Sequence, residues 1–201
     1  MDMPIKFIYL DVGEVIVKGA TSKQLAEKNL GVSYEAFNKV YEKYSTSAYK
    51  GKITPEELVS IYRRELEGVK INPLSFWHNW LESLSPMEEI HTLIHQLVNK
   101  YKLGILTNSY KGLLGQIRSR NLIPNIDYAY IIESSEVGFA KPEKEIYRLA
   151  QKLTGLSARS IFLIDNREEN VIAAKKLGWR GFVFDQENPK KSVEELRKIL
   201  L

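Results

Sequence analysis

The sequence contains no cysteine. This absence excludes disulfide bonds, thiolate metal ligands and a cysteine nucleophile. The sequence also lacks an apolar run of roughly 18 residues, which a membrane-spanning helix would need, and it lacks the pattern of a secretory signal. We therefore expect a cytoplasmic protein with no membrane partner.

Neither sign of charge is in large excess. The 29 lysines and arginines are opposed by 25 aspartates and glutamates, for a net charge of +4. The basic residues are scattered among glutamates along helical patterns, so no nucleic-acid partner is expected. A chain of 201 residues with 44% apolar residues can bury the core of one domain, or of one domain with an insertion. The composition leaves both a monomer and a homodimer open.

Five apolar runs have the length of strands. They are KFIYLD (6–11), KLGILT (102–107), YAYIIE (128–133), IFLID (161–165) and GFVF (181–184). Their hydrophobicity is continuous rather than alternating, which indicates burial on both faces, as in a parallel sheet. Helical patterns follow or separate them at 87–100, 110–121, 142–154, 167–177 and 192–200. The order predicts a doubly wound, Rossmann-like α/β fold with a five-stranded parallel sheet.

Residues 18–86 interrupt this alternation, because they contain helical patterns but no convincing strand. Thr54, Pro55 and Glu57 indicate a helix start. We predict an all-helical domain at 18–86, inserted into an α/β core formed by 1–17 and 87–201, with short hinge crossings near 18–21 and 85–88. Its aromatic residues are expected to form mostly a small core within the inserted domain; they are Phe37, Tyr41, Tyr44, Phe76, Trp77 and Trp80. One or two aromatic residues near Tyr49 or Trp77 are expected to line the substrate entrance.

Polar residues follow four of the predicted strands. They are Asp11, then Thr107-Asn108-Ser109, then Glu133-Ser134-Ser135, and finally Asp165-Asn166, with Lys141 a short loop beyond the third strand. In an open α/β sheet the carboxyl ends of the strands form the ligand crevice. The sequence therefore predicts a carboxylate, hydroxyl and amide donors, a cation and a second carboxylate at one edge.

These groups suit attack of a carboxylate on phosphorus. Such attack needs donors for the phosphoryl oxygens and a cation for the transition-state charge. Asp11 is the candidate nucleophile, with Thr107 and the backbone NH of Asn108 on the phosphoryl oxygens and Lys141 as the cation. Mg²⁺ prefers oxygen ligands, and the predicted ligands are Asp11, the backbone carbonyl of Gly13, Asp165 and Asn166.

Four ordered motifs resemble the haloacid dehalogenase-like hydrolase superfamily, in the subgroup with a helical cap after the first strand. The motifs are IYLDVGEVI with Asp11, ILTNS with Thr107, SSEVGFAKPEKEIY with Lys141, and IFLIDNREENVIAAKKLGW with Asp165. The resemblance covers residues 5 to about 185. It implies a hydrolase, specifically a magnesium-dependent phosphatase that forms an aspartyl-phosphate on Asp11 and acts on a small phosphorylated metabolite.

Two positions depart from the usual pattern of that superfamily. Most of its phosphatases have Asp-x-Asp at the first motif, where the second Asp is the general acid and base; here that position is Gly13. DVGEV is similar to the D-x-G-N-V or D-x-G-G-V motif of sugar-phosphate phosphatases, which also lacks the second acid, and Gly13 is expected to contribute to phosphate binding. The usual Asp-Asp of the fourth motif is Asp165-Asn166, so weaker binding of Mg²⁺ is expected.

Glu14 has three interpretations that the sequence leaves open. It is solvent-exposed under the cap, paired with a cap lysine, or a partial replacement for the lost acid.

Two alternatives to a phosphatase follow from these departures. One is a catalytically impaired member that binds a phosphorylated ligand or a protein partner. The other is the dehalogenase branch, which needs no metal but usually has Tyr in place of Gly13 and an Arg early in the cap; the predicted cap has no Arg before Arg63, so this branch is less expected.

Each candidate also has a purely structural interpretation. In this interpretation, Asp11 is only a strand-end or helix-cap carboxylate, and Asp165-Asn166 and Asn108-Ser109 only cap helices. Lys141 is a solvated lysine before a helix that begins at Pro142. His91 and His95 have the i, i+4 spacing of a zinc pair, but no third ligand is evident, so we interpret them as surface histidines.

Overall fold

A computed structural model describes residues 3–19, 22–67, 69 and 72–201. Its main sheet is parallel and five-stranded, in the order β5-β4-β1-β6-β7. These strands are β1 (Phe7–Leu10), β4 (Lys102–Thr107), β5 (Tyr130–Glu133), β6 (Ile161–Asp165) and β7 (Arg180–Val183). The predicted doubly wound α/β fold is confirmed, and each strand lies within a residue or two of the predicted run.

The three central strands, β1, β4 and β6, end at nearly the same height along the sheet. Leu10 pairs with Ile105 of β4 on one side and with Ile164 of β6 on the other. Asp11 follows Leu10 directly, and Asp165 follows Ile164 in the same register. The register therefore brings both carboxylates to the same edge of the sheet.

Six α-helices belong to the chain around the main sheet. They are α5 (Glu88–Leu97), α6 (Leu113–Ser119), α7 (Ser134–Val137), α8 (Lys144–Thr154), α9 (Glu168–Lys176) and α10 (Pro189–Leu200), with a short 3₁₀ helix at Ala158–Ser160. The expectation that a helix begins at Pro142 is wrong. Residues 140–143 form a turn in which Glu143 N donates to Ala140 O at 2.8 Å. The helix α8 starts at Lys144.

Residues 18–86, which we call the helical insert, carry α1 (Ser22–Gln24), a π-helical turn (Leu25–Leu30), α2 (Tyr34–Tyr49), α3 (Pro55–Glu65) and α4 (Pro73–Glu82). The predicted start of α3 is confirmed. Thr54 Oγ1 accepts from Glu57 N at 3.2 Å, and Thr54 N donates to Glu57 Oε2 at 2.8 Å, which satisfies two donors at the helix start.

The insert is joined to the main sheet by a short antiparallel ribbon of β2 (Val17–Lys18) and β3 (Ser85–Pro86). The prediction that residues 18–86 contain no convincing strand is therefore wrong for Lys18 and for Ser85–Pro86, since strands of two residues are too short to produce an apolar pattern. The predicted crossing near 18–21 is described only through Gly19, because residues 20 and 21 lie outside the described part. The domain boundaries themselves stay a prediction.

Both faces of the sheet are buried. One face packs Phe7, Tyr9 and Leu163 against α8, α9 and Trp179, with the Tyr9 and Trp179 rings stacked at 5.6 Å. The other face packs Ile8 and Leu10 in a cluster with α5, α6 and α10. Burial of each large apolar side chain contributes roughly 1.5–3 kcal/mol, so this layering dominates the stability of the fold.

The second cluster continues from the sheet into the helical insert. Phe37, Leu58, Tyr62 and Phe76 of the insert belong to the same contiguous cluster as Ile8 of β1. The aromatic residues of the insert therefore share a core with the sheet, whereas the sequence suggested a separate small core.

No helix among the described residues is both long enough and apolar enough to cross a lipid bilayer.

Candidate active site

Asp11 follows β1 at the carboxyl edge of the sheet. Its backbone N donates to Ile164 O at 2.9 Å, and its Oδ1 accepts from Val12 N at 2.8 Å. The residue is 7% exposed and lines a cavity of about 590 Å³. Burial raises the pKa of Asp11 to about 6, with the charge of Asp165 adding to this rise and that of Lys141 opposing it.

Lys141 joins the two buried carboxylates. Its Nζ lies 3.1 Å from Asp11 Oδ1 and 2.5 Å from Asp165 Oδ2, and the residue is 4% exposed. Burial lowers the pKa of Lys141, but the two carboxylates outweigh burial, so its pKa is raised and the ammonium stays charged. The interpretation of Lys141 as a solvated lysine is therefore wrong.

Asn108 fixes the backbone of Lys141. Its Nδ2 donates to Lys141 O and its Oδ1 accepts from Lys141 N, both at 2.8 Å. The sequence analysis proposed only a backbone role for Asn108. A spacing of 33 residues between the two partners gave no local pattern from which this reciprocal pair could be inferred.

Asp165 is fully buried among donors. Its Oδ1 accepts from Arg167 N at 2.9 Å and from Asn170 Nδ2 at 3.0 Å, while its Oδ2 accepts from Lys141 Nζ and from Asn170 Nδ2 at 3.1 Å. Four donor contacts use the acceptor capacity of one carboxylate. Asp165 thus anchors Lys141 and the start of α9, and it does not itself line the cavity.

Asn170 contributes to the site through its side-chain amide, a role that no local sequence pattern predicts. It is 1% exposed, its amide holds Asp165, and its backbone carbonyl accepts from Tyr147 Oη at 2.9 Å. Its Oδ1 is buried and has no hydrogen-bond partner among the described residues. The only earlier sign of it was its place in the fourth motif.

Gly13 and Asn166, where the carboxylates are lacking, both line the cavity. Gly13 is exposed, and a Cβ built on it would meet no atom within 4 Å. Asn166 Nδ2 donates to Gln186 Oε1 at 2.7 Å, which leaves its Oδ1 as the polar atom for a ligand.

Glu14 has a left-handed backbone, with φ of 57°, an uncommon conformation for a residue with a Cβ. Its Oε1 accepts from Gly19 N at 3.4 Å, and burial raises the pKa of its carboxyl group. Glu14 is half-buried and lines the cavity, so the interpretation as a freely solvated side chain is wrong.

The cavity has a volume of about 590 Å³ and lies between the strand ends and the helical insert. Asp11, Asn108, Asn166 and Asn170 contribute its polar end, and aromatic side chains of the insert contribute much of the remainder. A second cavity of about 160 Å³ adjoins it at Gly13 and Asn108 and is lined by Thr107. Thr107 is 2% exposed at the end of β4.

The two histidines of α5 lie away from these cavities. His95 is exposed, but His91 is half-buried with Nε2 3.0 Å from Ile16 O, so the surface interpretation is wrong for His91. Burial lowers the pKa of His91. His91 connects α5 to the chain before the helical insert, which is a structural role.

The donor set at the polar end fits Mg²⁺ in its chemistry. Asp11, Gly13 and Asn166 line one cavity and carry oxygen atoms, and Asn170 Oδ1 is a buried oxygen without a partner among the described residues. The negative charge available to the ion is limited, because Lys141 already pairs with Asp11 and because hydrogen-bond donors surround the Asp165 carboxylate. The described part of the chain has no group of three or more His, Cys, Asp or Glu residues that could hold a metal ion, so a metal here would depend on neutral oxygens and water.

A buried carboxylate, an ammonium and several amides thus meet at the carboxyl edge of a parallel sheet. A model of the family "haloacid dehalogenase-like hydrolase" matches residues 24–184. Since this is most of the chain, the chain belongs to the haloacid dehalogenase-like (HAD) hydrolase family. The matched region begins beyond Asp11.

Solved structures share the fold at low sequence identity. A HAD family enzyme, BT-2542 from Bacteroides thetaiotaomicron, in a mutant form complexed with magnesium and inorganic phosphate, has a TM-score of 0.72 at 23% identity, covering 90% of this chain and 95% of that one. A HAD-like family hydrolase from Porphyromonas gingivalis has a TM-score of 0.77 at 19% identity, covering 98% and 99%. The L-2-haloacid dehalogenase of Xanthobacter autotrophicus has a TM-score of 0.66 at 15% identity, covering 88% and 76%.

A curated relative resembles part of the sequence. The pyrimidine 5'-nucleotidase YjjG of Escherichia coli strain K12 is 28% identical over 118 residues, which are 58% of this chain and 52% of the relative. The matched region thus spans about half the length of the relative.

Proposed function

We propose that the chain is a magnesium-dependent phosphatase that acts on a small phosphorylated metabolite through an aspartyl-phosphate on Asp11. One observation carries this proposal. The Asp11 carboxylate lines a cavity of about 590 Å³ while a buried ammonium, Lys141 Nζ, lies 3.1 Å from its Oδ1. A nucleophilic carboxylate and a fixed cation beside it are what phosphoryl transfer to Asp requires.

Asp11 Oδ2 is the proposed attacking atom. Both contacts that described residues make with this carboxylate, from Val12 N and from Lys141 Nζ, fall on Oδ1. Attack forms the bond between Oδ2 and phosphorus, and the bond from phosphorus to the leaving oxygen breaks with its electron pair on that oxygen. Water then attacks phosphorus, which releases inorganic phosphate and restores the Asp11 carboxylate.

Lys141 is proposed to hold its charge beside the phosphoryl group throughout. Its position is fixed at three points, since Asp165 holds its Nζ and Asn108 holds its backbone N and O. A preorganised cation stabilises developing charge without moving during the reaction. Asn108 and Asp165 act through Lys141 and are positioning residues in this proposal.

Phosphoryl oxygens are proposed to accept from Thr107 and from backbone NH groups at Asn108 and Gly13. Thr107 is the last residue of β4, the strand beside β1, and Asn108 follows it; both line the cavity of about 160 Å³ that adjoins the larger one. When bound, Mg²⁺ supplies positive charge at the same oxygens, and Asp11, the Gly13 carbonyl and Asn166 would hold it, with Asp165 behind them. The helical insert is proposed to act as a cap that limits entry of water.

The site has no side chain at the usual position of the general acid that would protonate the leaving oxygen. The position after Val12 is Gly13, which has no side-chain acid, so the leaving group depends on water or on its own acidity. We therefore expect slow turnover of ordinary alkyl phosphates and faster turnover of esters with good leaving groups.

A panel of phosphate esters, assayed for phosphate release with and without Mg²⁺, tests the proposal. Sugar phosphates belong to the panel, and nucleotides do too, because of the partial similarity to YjjG. Magnesium-dependent release above background from at least one compound is expected. Absence of release from every compound, with a folded protein, would contradict the proposal.

Two other functions are favoured by particular observations. The lack of carboxylates at Gly13 and Asn166 favours a binding protein of the same fold, which would show thermal stabilisation by a phosphorylated ligand without turnover. The similarity to the structure of a haloacid dehalogenase favours carbon–halogen cleavage. Halide release from 2-haloacids without metal would identify that activity.

A further inference from the structure

One wall of the cavity of about 590 Å³, formed mostly by the helical insert, is mainly aromatic. Tyr41 and Tyr49 come from α2, Tyr62 from α3, Trp77 and Trp80 from α4, and Tyr110 from the loop after β4. Tyr41, Tyr49, Trp77 and Trp80 are only partly buried, so ring surface remains available in the cavity. A wall of this kind offers flat apolar surfaces to a ligand.

The rings of this wall hold one another in place. The Tyr49 and Tyr110 rings are stacked at 4.9 Å with an interplanar angle of 15°, and Trp77 meets Tyr110 edge-on at 5.2 Å. Trp77 in turn meets Trp80 edge-on at 6.1 Å. A ligand ring added to this array would gain stacking without first ordering loose side chains.

Three polar atoms of the wall are already paired within the protein. The hydroxyl groups of Tyr41 and Tyr49 are 2.6 Å apart, and Trp77 Nε1 donates to Pro55 O at 3.1 Å. Sugar hydroxyl groups pressed against this wall would lose water without equivalent hydrogen bonds, which is unfavourable. The wall thus suits an aromatic ring better than a polyol.

Apart from Lys23 and Asn38 of the helical insert, the charged and amide residues that line the cavity come from the chain around the main sheet. Asp11, Asn108, Asn166 and Asn170 line the cavity near the strand ends and are the proposed phosphate site. A volume of about 590 Å³ leaves room for both a phosphate and a ring in one bound molecule.

We infer that the substrate is a phosphomonoester whose leaving group carries a planar aromatic ring, bound against the wall formed by Tyr41, Tyr49, Trp77, Trp80 and Tyr110. This inference rests on the proposed phosphatase function and names its substrate class. The ring has two chemical sources: the base of a nucleoside monophosphate, or the ring of an arylmethyl phosphate.

Two matched pairs of compounds test the ring and separate its sources. Uridine 5'-monophosphate is compared with ribose 5-phosphate, which lacks the base, and benzyl phosphate with cyclohexylmethyl phosphate, whose ring is not planar. Because stacking of a base on an aromatic side chain is favourable, kcat/KM should be roughly tenfold or more higher for the aromatic member of a pair. A preference in the first pair alone identifies a nucleobase, and one in the second pair alone an arylmethyl group. Equal kcat/KM within both pairs overturns the inference.

Variants of the wall give a second readout. Trp80→Leu and Tyr41→Leu should reduce the ratio of kcat/KM between the aromatic and non-aromatic members of a pair. Tyr44→Leu is the matched control, because Tyr44 is also an aromatic residue of α2 but its hydroxyl donates to Glu65 at 3.0 Å, outside the cavity lining. If this kcat/KM ratio is unchanged in folded Trp80→Leu and Tyr41→Leu proteins, the proposed wall is contradicted. Should a variant fail to fold, the comparison of substrates on the wild-type protein still tests the inference.

Failure of the phosphatase proposal remains distinguishable from failure of this inference. If no compound releases phosphate, isothermal titration with uridine 5'-monophosphate and ribose 5-phosphate measures ring recognition by itself. Tighter binding of the nucleotide supports an aromatic ligand in a protein without turnover. Equal binding, or binding of neither, contradicts the inference.

Discussion

At the scale of single residues, the arrangement of Asp11, Lys141 and Asp165 depends on one buried ammonium. Lys141 contacts both carboxylates, and its side chain is 0% exposed. Two carboxylates this close would repel each other strongly without it. The lysine therefore contributes to stability as well as to the proposed chemistry.

Replacement of Lys141 by Met tests this dual role. Removal of one partner from a buried ionic group costs about 3–5 kcal/mol, so the free energy of unfolding should fall by that amount and phosphate release should be lost. Urea denaturation measures the first effect. Lys144→Met, at an exposed position of α8, is the control and should change stability by no more than about 0.5 kcal/mol. Wild-type stability of the Lys141 variant would show that the pair is not formed in solution.

Gly13 offers a direct test of the missing acid. A Cβ at this position meets no atom within 4 Å, so Gly13→Asp introduces a carboxyl group without a steric clash. If the site is otherwise intact, kcat for an alkyl phosphate should rise roughly 10²-fold or more, the usual contribution of general acid catalysis. Gly13→Asn has nearly the same size without the acid and should show no such gain. Equal rates for the two variants would exclude a rate limit set by the missing acid.

Asn166 is the position that limits the charge available to Mg²⁺. In Asn166→Asp, Gln186 can turn its amide to donate to the new carboxylate, so the local packing is retained. One extra unit charge beside the ion contributes on the order of 1 kcal/mol or more, and Mg²⁺ should bind several-fold to tenfold more tightly. Isothermal titration with MgCl₂ measures this, with the exposed Asn99→Asp as control. Unchanged affinity would remove Asn166 from the proposed ligands.

At the scale of elements, the contact between α2 and α7 sets how the helical insert lies on the core. Gly51, just after α2, has φ of 68°, and a Cβ on it would clash with the backbone oxygen of Ser135. Beside this contact, Lys50 Nζ lies 2.5 Å from Glu143 Oε1. The end of α2 is thereby fixed to the turn that follows Lys141.

Gly51→Ala should therefore disturb both stability and the site. The matched control is Gly31→Ala, which has φ of 67° but open space around its Cβ. Left-handed backbone alone costs a residue with a Cβ about 1–2 kcal/mol, so Gly31→Ala should lose about that much and Gly51→Ala clearly more. Thermal unfolding and kcat/KM are the measurements. Equal losses in the two variants would show that the contact with Ser135 is unimportant.

Long elements were predictable from the sequence because their patterns are local. Continuous apolar runs gave all five strands, and Thr54, Pro55 and Glu57 gave the start of α3, which the capping geometry confirms. The ribbon of Val17–Lys18 and Ser85–Pro86 was not predictable, since its pairing is set by the tertiary structure rather than by a pattern within two residues.

At the scale of the whole molecule, the α/β fold followed from the alternation of apolar runs and helical patterns, and the family followed from four ordered motifs, with which the family match to residues 24–184 agrees. The candidate site was only partly predictable. The strand register explains why Asp11 and Asp165 lie at the same edge of the sheet. The hydrogen bonds of Asn108 to Lys141 and of Asn170 to Asp165 depend instead on side-chain geometry, which the sequence pattern does not specify. The aromatic wall likewise forms only when α2, α4 and the loop with Tyr110 come together.

Phosphate release by Asp11→Asn is the measurement that tests the central claim most directly. The substrate is the best compound of the panel, with saturating Mg²⁺, and Asp127→Asn at an exposed position is the control. An amide cannot accept the phosphoryl group, so we predict that Asp11→Asn releases none above background while remaining folded, and that Asp127→Asn equals wild type. Measurable turnover by Asp11→Asn would contradict the aspartyl-phosphate mechanism.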